Sequence, residues 1–345
     1  MISVRSIGAC ALCLALAACG RANRPAPPAP SANPAASAAL GSPAAAAATP
    51  AGASLITDSA DGVHIEYRVY GHGDPAIVLI HGWAANAGFW REQIAPLAAK
   101  YTTVTLNLAG HGGSGRNRTD WSMARFGQDV AAVVRELPNR RIILVGHSMG
   151  GPVALEAAPL IGARLVGIIG IDTFRSIGLP PPAKQALEKQ IAPFRTDYFG
   201  AMQRLVPQLF TRRADPRFVH LVAAEMARVP PQVAIGALES LNTLDYAPLL
   251  ARIHVPIVAM DSDLQAPPDV NRVRRVVPDF SLVVFPGDGT FLTLEDPRRL
   301  NPMLLAKIAW LAGEPEPGSG ARRARLGDPA AARSEGPTGH VHAAE

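Results

Sequence analysis

Cysteine is nearly absent from this chain. Its 345 residues contain three, Cys10, Cys13 and Cys19, all close to the amino end. No disulfide can staple the body of the protein, which must instead rely on an apolar core. Charge of one sign is also scarce. The formal net charge is +5, and Arg5, Arg21 and Arg24 near the amino end supply part of it. The other arginines are scattered without a basic stripe, which argues against nucleic acid as a partner. No apolar run is long enough to span a bilayer as a mature helix, and the nearest approach is Ile7 to Ala18. No internal repeat is visible. What is abundant is apolar: 48% of residues are hydrophobic, enough core for one large α/β domain or two small ones.

Both ends read as segments without a core. Arg5 followed by Ile7 to Ala18 has the charge and length of a targeting segment. It closes on Leu16-Ala17-Ala18-Cys19-Gly20, which resembles a bacterial lipoprotein signal. That resemblance implies cleavage after residue 18 and lipid on Cys19. The protein would then be anchored to a bacterial membrane, facing the periplasm or the cell exterior. The plainer alternative is a secretory peptide with incidental cysteines. Residues 19–53, rich in alanine, proline and serine, are expected to form a disordered linker. Residues 313–345 are expected to form a disordered tail, which leaves 54–312 as the folded domain.

Within that domain, short apolar runs alternate with helical patterns. Val63 to Tyr70 alternates apolar and polar residues, as an edge strand does. Ile77 to Ile80, Thr102 to Leu108, Ile142 to Val145, Leu165 to Ile171, Ile257 to Met260 and Leu282 to Phe285 read as buried parallel strands. Helical stretches such as Met123 to Leu137 lie between them. The alternation argues for an open parallel sheet covered by helices on both faces. It breaks over about 175–250, where the patterns predict helices at Ala183 to Ile191, Tyr198 to Phe210, Phe218 to Arg228 and Val233 to Leu244. An insertion between two strands is expected to sit over the carboxyl edge of the sheet as a lid, the alternative being extra padding on a sheet face.

One stretch carries the strongest chemical signal. Ile142-Ile143-Leu144-Val145 stops at Gly146, and a small-residue helix pattern resumes after Ser148 with Met149-Gly150-Gly151-Pro152. Strand, tight turn and helix would present the Ser148 hydroxyl at the apex, in a strained backbone, beside a helix amino end that favours developing negative charge.

In chain order these features resemble the α/β-hydrolase family, over roughly Ser54 to Ala312. Ile80-His81-Gly82-Trp83 is similar to the family's strand followed by His-Gly. Ala109-Gly110-His111-Gly112-Gly113-Ser114 matches its Gly-His-Gly-x-Ser loop, and Gly146-His147-Ser148-Met149-Gly150 its nucleophile elbow. The resemblance implies an α/β-hydrolase fold, a mostly parallel sheet with helices on both faces and a helical lid. It implies Ser148 as nucleophile and the backbone amides of Trp83 and Met149 as oxyanion donors. A serine where dehalogenases and epoxide hydrolases carry aspartate implies acyl transfer. Asp263, followed by Leu264-Gln265-Ala266-Pro267, matches the family's acid, with Asp261 and Asp172 as alternatives. Each of the three can also be a plain strand-end cap. His81, His111 and His147 sit beside glycine turns and are expected to fix loops. No cofactor or metal is implied, and the expected partner is a small-molecule substrate or ligand.

The base departs from the pattern. After the last strand the family has Gly-x-Gly-His-Phe, and this chain has Gly287-Asp288-Gly289-Thr290-Phe291. A threonine hydroxyl stays neutral near pH 7 and cannot take a serine's proton as imidazole does. Three readings follow: an ester-type serine hydrolase with Thr290 at the base position, a catalytically impaired protein that binds a small apolar ligand, or a perhydrolase or carbon–carbon hydrolase of the same fold.

Overall fold

The computed structural model describes residues 52–314. The signal segment 1–18, Cys19, nearly all of the linker and the tail beyond residue 314 lie outside the described residues. Eight strands form one sheet: β1 (Ala53–Asp58), β2 (His64–Tyr70), β3 (Ala76–Ile80), β4 (Thr102–Leu106), β5 (Ile142–His147), β6 (Leu165–Ile171), β7 (Ile257–Ser262) and β8 (Phe280–Phe285). Their order is β1-β2-β4-β3-β5-β6-β7-β8. The first two pairings along it are antiparallel. From β4 to β8 every pair is parallel.

The parallel strands are apolar on both faces because both faces are covered. Ile77 and Leu79 pack with Leu97 of α1 (Arg91–Ala98) and with Leu300, Leu304 and Ile308 of α11 (Pro297–Leu311). Val78 and Ile80 point the other way, toward Phe126 and Val130 of α2 (Met123–Glu136) and Val153 of α3 (Gly150–Ile161). The period of two along one strand thus divides the core into two layers.

Strand β2 corrects the edge-strand expectation. It is paired on both sides, and β1 takes the edge. The sequence hid β1 because Leu55 (38% exposed) and Ile56 (69%) are adjacent and face outward, so no buried alternation marks the strand.

Between β6 and β7 the chain forms helices only: α4 (Lys184–Thr196), α5 (Tyr198–Leu205), α6 (Pro216–Met226), α7 (Pro231–Thr243) and α8 (Tyr246–Leu250). Asp197, Asp215 and Asp245 cap α5, α6 and α8 by accepting first-turn N–H groups, and proline opens α6 and α7. This insertion is a lid and not padding on a sheet face. The Trp83 indole N–H, just beyond the carboxyl end of β3, donates to Ala234 O of α7 at 2.7 Å. The Asn86 amide donates to Glu225 Oε1 of α6 at 2.9 Å. Two short helices, α9 (Val270–Arg274) and α10 (Leu292–Glu295), flank β8.

Candidate active site

Ser148 stands between β5 and α3 with φ +49°, a left-handed backbone that side-chain-bearing residues rarely adopt. Packing explains why it persists. A Cβ on Gly146 would collide with the Gly150 carbonyl, and one on Gly150 with the Ile80 carbonyl, so strand, helix and the neighbouring β3 touch backbone to backbone. The Ser148 N–H donates to Ile171 O at 2.9 Å and its carbonyl accepts from the Gly151 N–H at 3.0 Å. Met149 opens α3, whose amino end carries no side-chain cap. A helix end of this kind presents N–H groups and positive potential to the space above it.

That space is a cavity of about 30 Å³ lined by Gly82, Trp83, His147, Ser148, Asp172 and Thr290, and closed by Leu209 and Met226 of the lid with Gln265 and Phe291. Trp83 is held from two sides, by its bond to Ala234 and by an edge-on contact with Phe194 of α4 (5.4 Å between centroids). The room suffices for a water or two.

The three loop histidines are buried and kept neutral. His81 Nε2 accepts from the Leu108 N–H at 3.1 Å while Nδ1 bonds Gly82 O at 2.9 Å, which pins the loop after β3 to the loop after β4. Burial first, then the neighbouring His111, pushes its pKa far down. His111 bonds Ala109 O and is pushed down by burial to about 4. His147 uses Nε2 to bond Thr290 O at 2.9 Å, and burial lowers its pKa too.

Thr290 occupies the cavity wall. Its N–H donates to Leu209 O at 2.8 Å and its Oγ1 is buried without a partner. Nearby, Glu295 Oε2 accepts from the N–H and hydroxyl of Thr211 at 3.3 and 3.4 Å. Burial raises that carboxyl to about 7. The loop that carries Thr290 is therefore fastened to the lid, with Phe210 stacked on Phe291 at 4.9 Å.

The three candidate acids part company. Asp263 is exposed and accepts from the Gly287 N–H at 2.8 Å, tying β7's loop to the one that carries Thr290. It lines an outer depression of about 450 Å³ with Phe210, Thr211 and Asp288, separate from the Ser148 cavity. Asp172 lines the Ser148 cavity itself, at φ +52° and almost fully buried. Its Oδ1 accepts from Arg175 Nη2 (2.6 Å) and from the N–H and hydroxyl of Ser262 (3.0 and 2.8 Å). Asp261 is buried behind it, accepting from the Thr173 N–H, with Oδ2 at 3.8 Å from Arg175. Burial, opposed by Arg175, pushes its pKa up. Sequence reasoning missed Leu209, Met226 and Gln265 as cavity residues. The two lid residues carry no local signal, and Gln265 lies only two positions beyond Asp263.

Comparison with known proteins agrees with this architecture. The model of a family described as the alpha/beta hydrolase family matches residues 77–302. A protein of Mycobacterium tuberculosis, Rv2715, is 26% identical over 255 residues, covering 68% of this chain and 74% of its own. A pimeloyl-[acyl-carrier protein] methyl ester esterase of Methylococcus capsulatus is 30% identical over 194 residues, covering 54% of this chain and 74% of its own. Among solved structures, a thermophilic esterase from Thermogutta terrifontis superposes with a TM-score of 0.65 at 22% identity, covering 76% of this chain and 99% of that one. With the matched segment running from β3 into α11, this chain belongs to the alpha/beta hydrolase family.

Proposed function

We propose that this chain is a slow serine hydrolase of small ester-type substrates. Ser148 is the nucleophile, the amides of Trp83 and Met149 the oxyanion donors, and Asp263 the acid, while Thr290 stands where the base belongs. The observation that carries this reading is Ser148 itself: a serine held at φ +49° by backbone contacts, at an uncapped helix amino end, in a cavity shared with Trp83. The methyl ester esterase named above supports the substrate class. Slowness follows from the base position, since loss of the triad histidine costs about a million-fold in turnover and leaves roughly a thousand-fold over water.

A fluorophosphonate probe tests it. Slow, stoichiometric labelling that disappears in Ser148→Ala is the expected result. Complete inertness of wild type and Thr290→His alike would favour a binding protein for a small apolar ligand, a reading supported by the apolar side chains of Leu209, Met226 and Phe291 around the cavity.

The location proposed for this activity is a bacterial membrane surface, with Cys19 lipidated and the domain facing the periplasm or exterior. More than one acyl chain is needed for stable anchoring. Mass spectrometry of the mature amino end is the check, and an unmodified start at another residue overturns it.

A further inference from the structure

Four of the polar groups that border the Ser148 cavity have donors and acceptors that match one water. Thr290 Oγ1 and Gln265 Oε1 are buried without partners. Ser148 and Asp172 line the same space. All three donors to the Asp172 carboxylate use Oδ1. A water there can accept from the two hydroxyls and donate to the amide oxygen and the carboxylate, filling all four of its bonds. A cavity of about 30 Å³ with these polar groups set among its apolar walls is large enough for it.

The charged and titratable groups that face Asp172 are Arg175, which pairs with it at 2.6 Å, Asp261 and His147. Burial favours the neutral form of both Asp261 and His147. His147 also spends Nε2 on Thr290 O. The backbone that carries Asp172 is fixed as well, through its N–H to Met260 O at 3.1 Å.

Resting on the serine-hydrolase reading, we propose that Asp172 is the base that reading lacks, acting on Ser148 through a water held by Thr290 and Gln265. As Ser148 Oγ bonds to the ester carbonyl carbon, its proton passes to the water, and a water proton passes to Asp172. The oxyanion collapses, the bond to the alkoxy oxygen breaks, and the leaving group takes the proton back along the same path. A second water then attacks the acyl-enzyme, giving up a proton by that path, and Ser148 is released protonated with the carboxylate restored.

The test is hydrolysis of p-nitrophenyl acetate by the full-length chain, with Ser148→Ala as background. Asp172→Asn should lower the Ser148-dependent rate about a hundred-fold or more, the lower part of the range for general bases. Asparagine suits the left-handed backbone at this position, and the melting temperature confirms that the variant folds. Thr290→Val, which replaces the hydroxyl by a methyl, should lower the rate less. The wild-type pH profile should show no break that His147→Gln removes. Should Asp172→Asn fail to fold, the proton inventory in mixed light and heavy water decides: a curved plot fits two protons in flight, and a straight one overturns the relay.

An unchanged rate in folded Asp172→Asn overturns the relay and leaves the serine-hydrolase reading standing. A break below 6.5 that vanishes in His147→Gln assigns the base to His147 instead. A wild type without Ser148-dependent turnover, rescued by Thr290→His, also removes the relay while keeping the scaffold. Silence in both proteins removes the relay and the hydrolase reading together.

Discussion

At the elbow, β5, α3 and β3 meet so closely that neither Gly146 nor Gly150 can carry a side chain. Across the cavity, the loop between β8 and α10 is held mostly by contacts to the lid, through Thr290 to Leu209 and Glu295 to Thr211. The geometry of Ser148 is therefore imposed by packing the fold needs in any case. The side chain at position 290 is not: the two backbone bonds of Thr290, to Leu209 and His147, do not depend on it. One side of the site is preserved by sterics, the other only by chemistry.

The sharpest way to break that contrast is to place an imidazole at position 290. Thr290→His should raise hydrolysis of a short activated ester by orders of magnitude, up to about a million-fold for an intact triad. The gain will fall short of that ceiling, because the cavity of about 30 Å³ must reshape to take an imidazole. A misplacement of about 1 Å costs about a hundred-fold, leaving a rise of about ten-thousand-fold. The gain must vanish when Ser148→Ala is added. A gain that survives would place the chemistry elsewhere.

The next largest effect lies on the steric side. In Gly150→Ala the new methyl meets the backbone oxygens of Ile80 and His81, which no side-chain adjustment can relieve. Overpacking against backbone should cost about 3 kcal/mol or more, seen as a collapse of the denaturant midpoint. Gly287 in the base loop is the control. Its φ of +83° makes alanine strained there, yet no atom lies near the added methyl, so the cost should be only about 1 kcal/mol. Equal losses at the two glycines would erase the distinction.

A smaller effect separates the two regions by pH. Burial raises the Glu295 carboxyl from the usual 4.5 to about 7, so the native state holds its proton where the unfolded chain has released it. This group's contribution to stability is full below about pH 4.5, declines as pH rises toward 7, and is level above that. Glu295→Gln should abolish that slope. Melting temperatures of the two proteins, compared at several pH values, should diverge between 4.5 and 7, and parallel curves would show that Glu295 is well solvated.

The sequence carried what is local. Gly146, Ser148 and Gly150 announce a turn because sterics act between neighbours, and apolar runs such as Ile142 to Val145 announce strands because both faces of the sheet are covered. The helical insertion was visible as a break in alternation. What escaped depends on tertiary placement. Leu209 and Met226 close the cavity from the lid, far along the chain from Ser148. Asp172 and Asp263 each follow a strand, and only the fold shows that Asp172 borders the nucleophile's cavity while Asp263 reaches the loop from an exposed position. Strand β1 was lost because its apolar residues face outward.

The smallest expected effect concerns the serine itself. Its φ of +49° strains any residue with a Cβ, so Ser148→Ala exchanges one strained residue for another. The bond from its N–H to Ile171 O belongs to the backbone and survives the change. The melting temperature should stay within a degree or two. Ser148→Gly differs, since glycine adopts this conformation freely and should recover about 1–2 kcal/mol of strain. The more flexible unfolded chain takes back about 0.5–1 kcal/mol. The net gain of about 1 kcal/mol or less corresponds to at most a few degrees for a domain of this size. Calorimetry of the three proteins should therefore rank glycine at or just above serine and alanine. A drop of many degrees in both variants would mean that the hydroxyl holds the elbow together, and that the geometry of Ser148 depends on its chemistry after all.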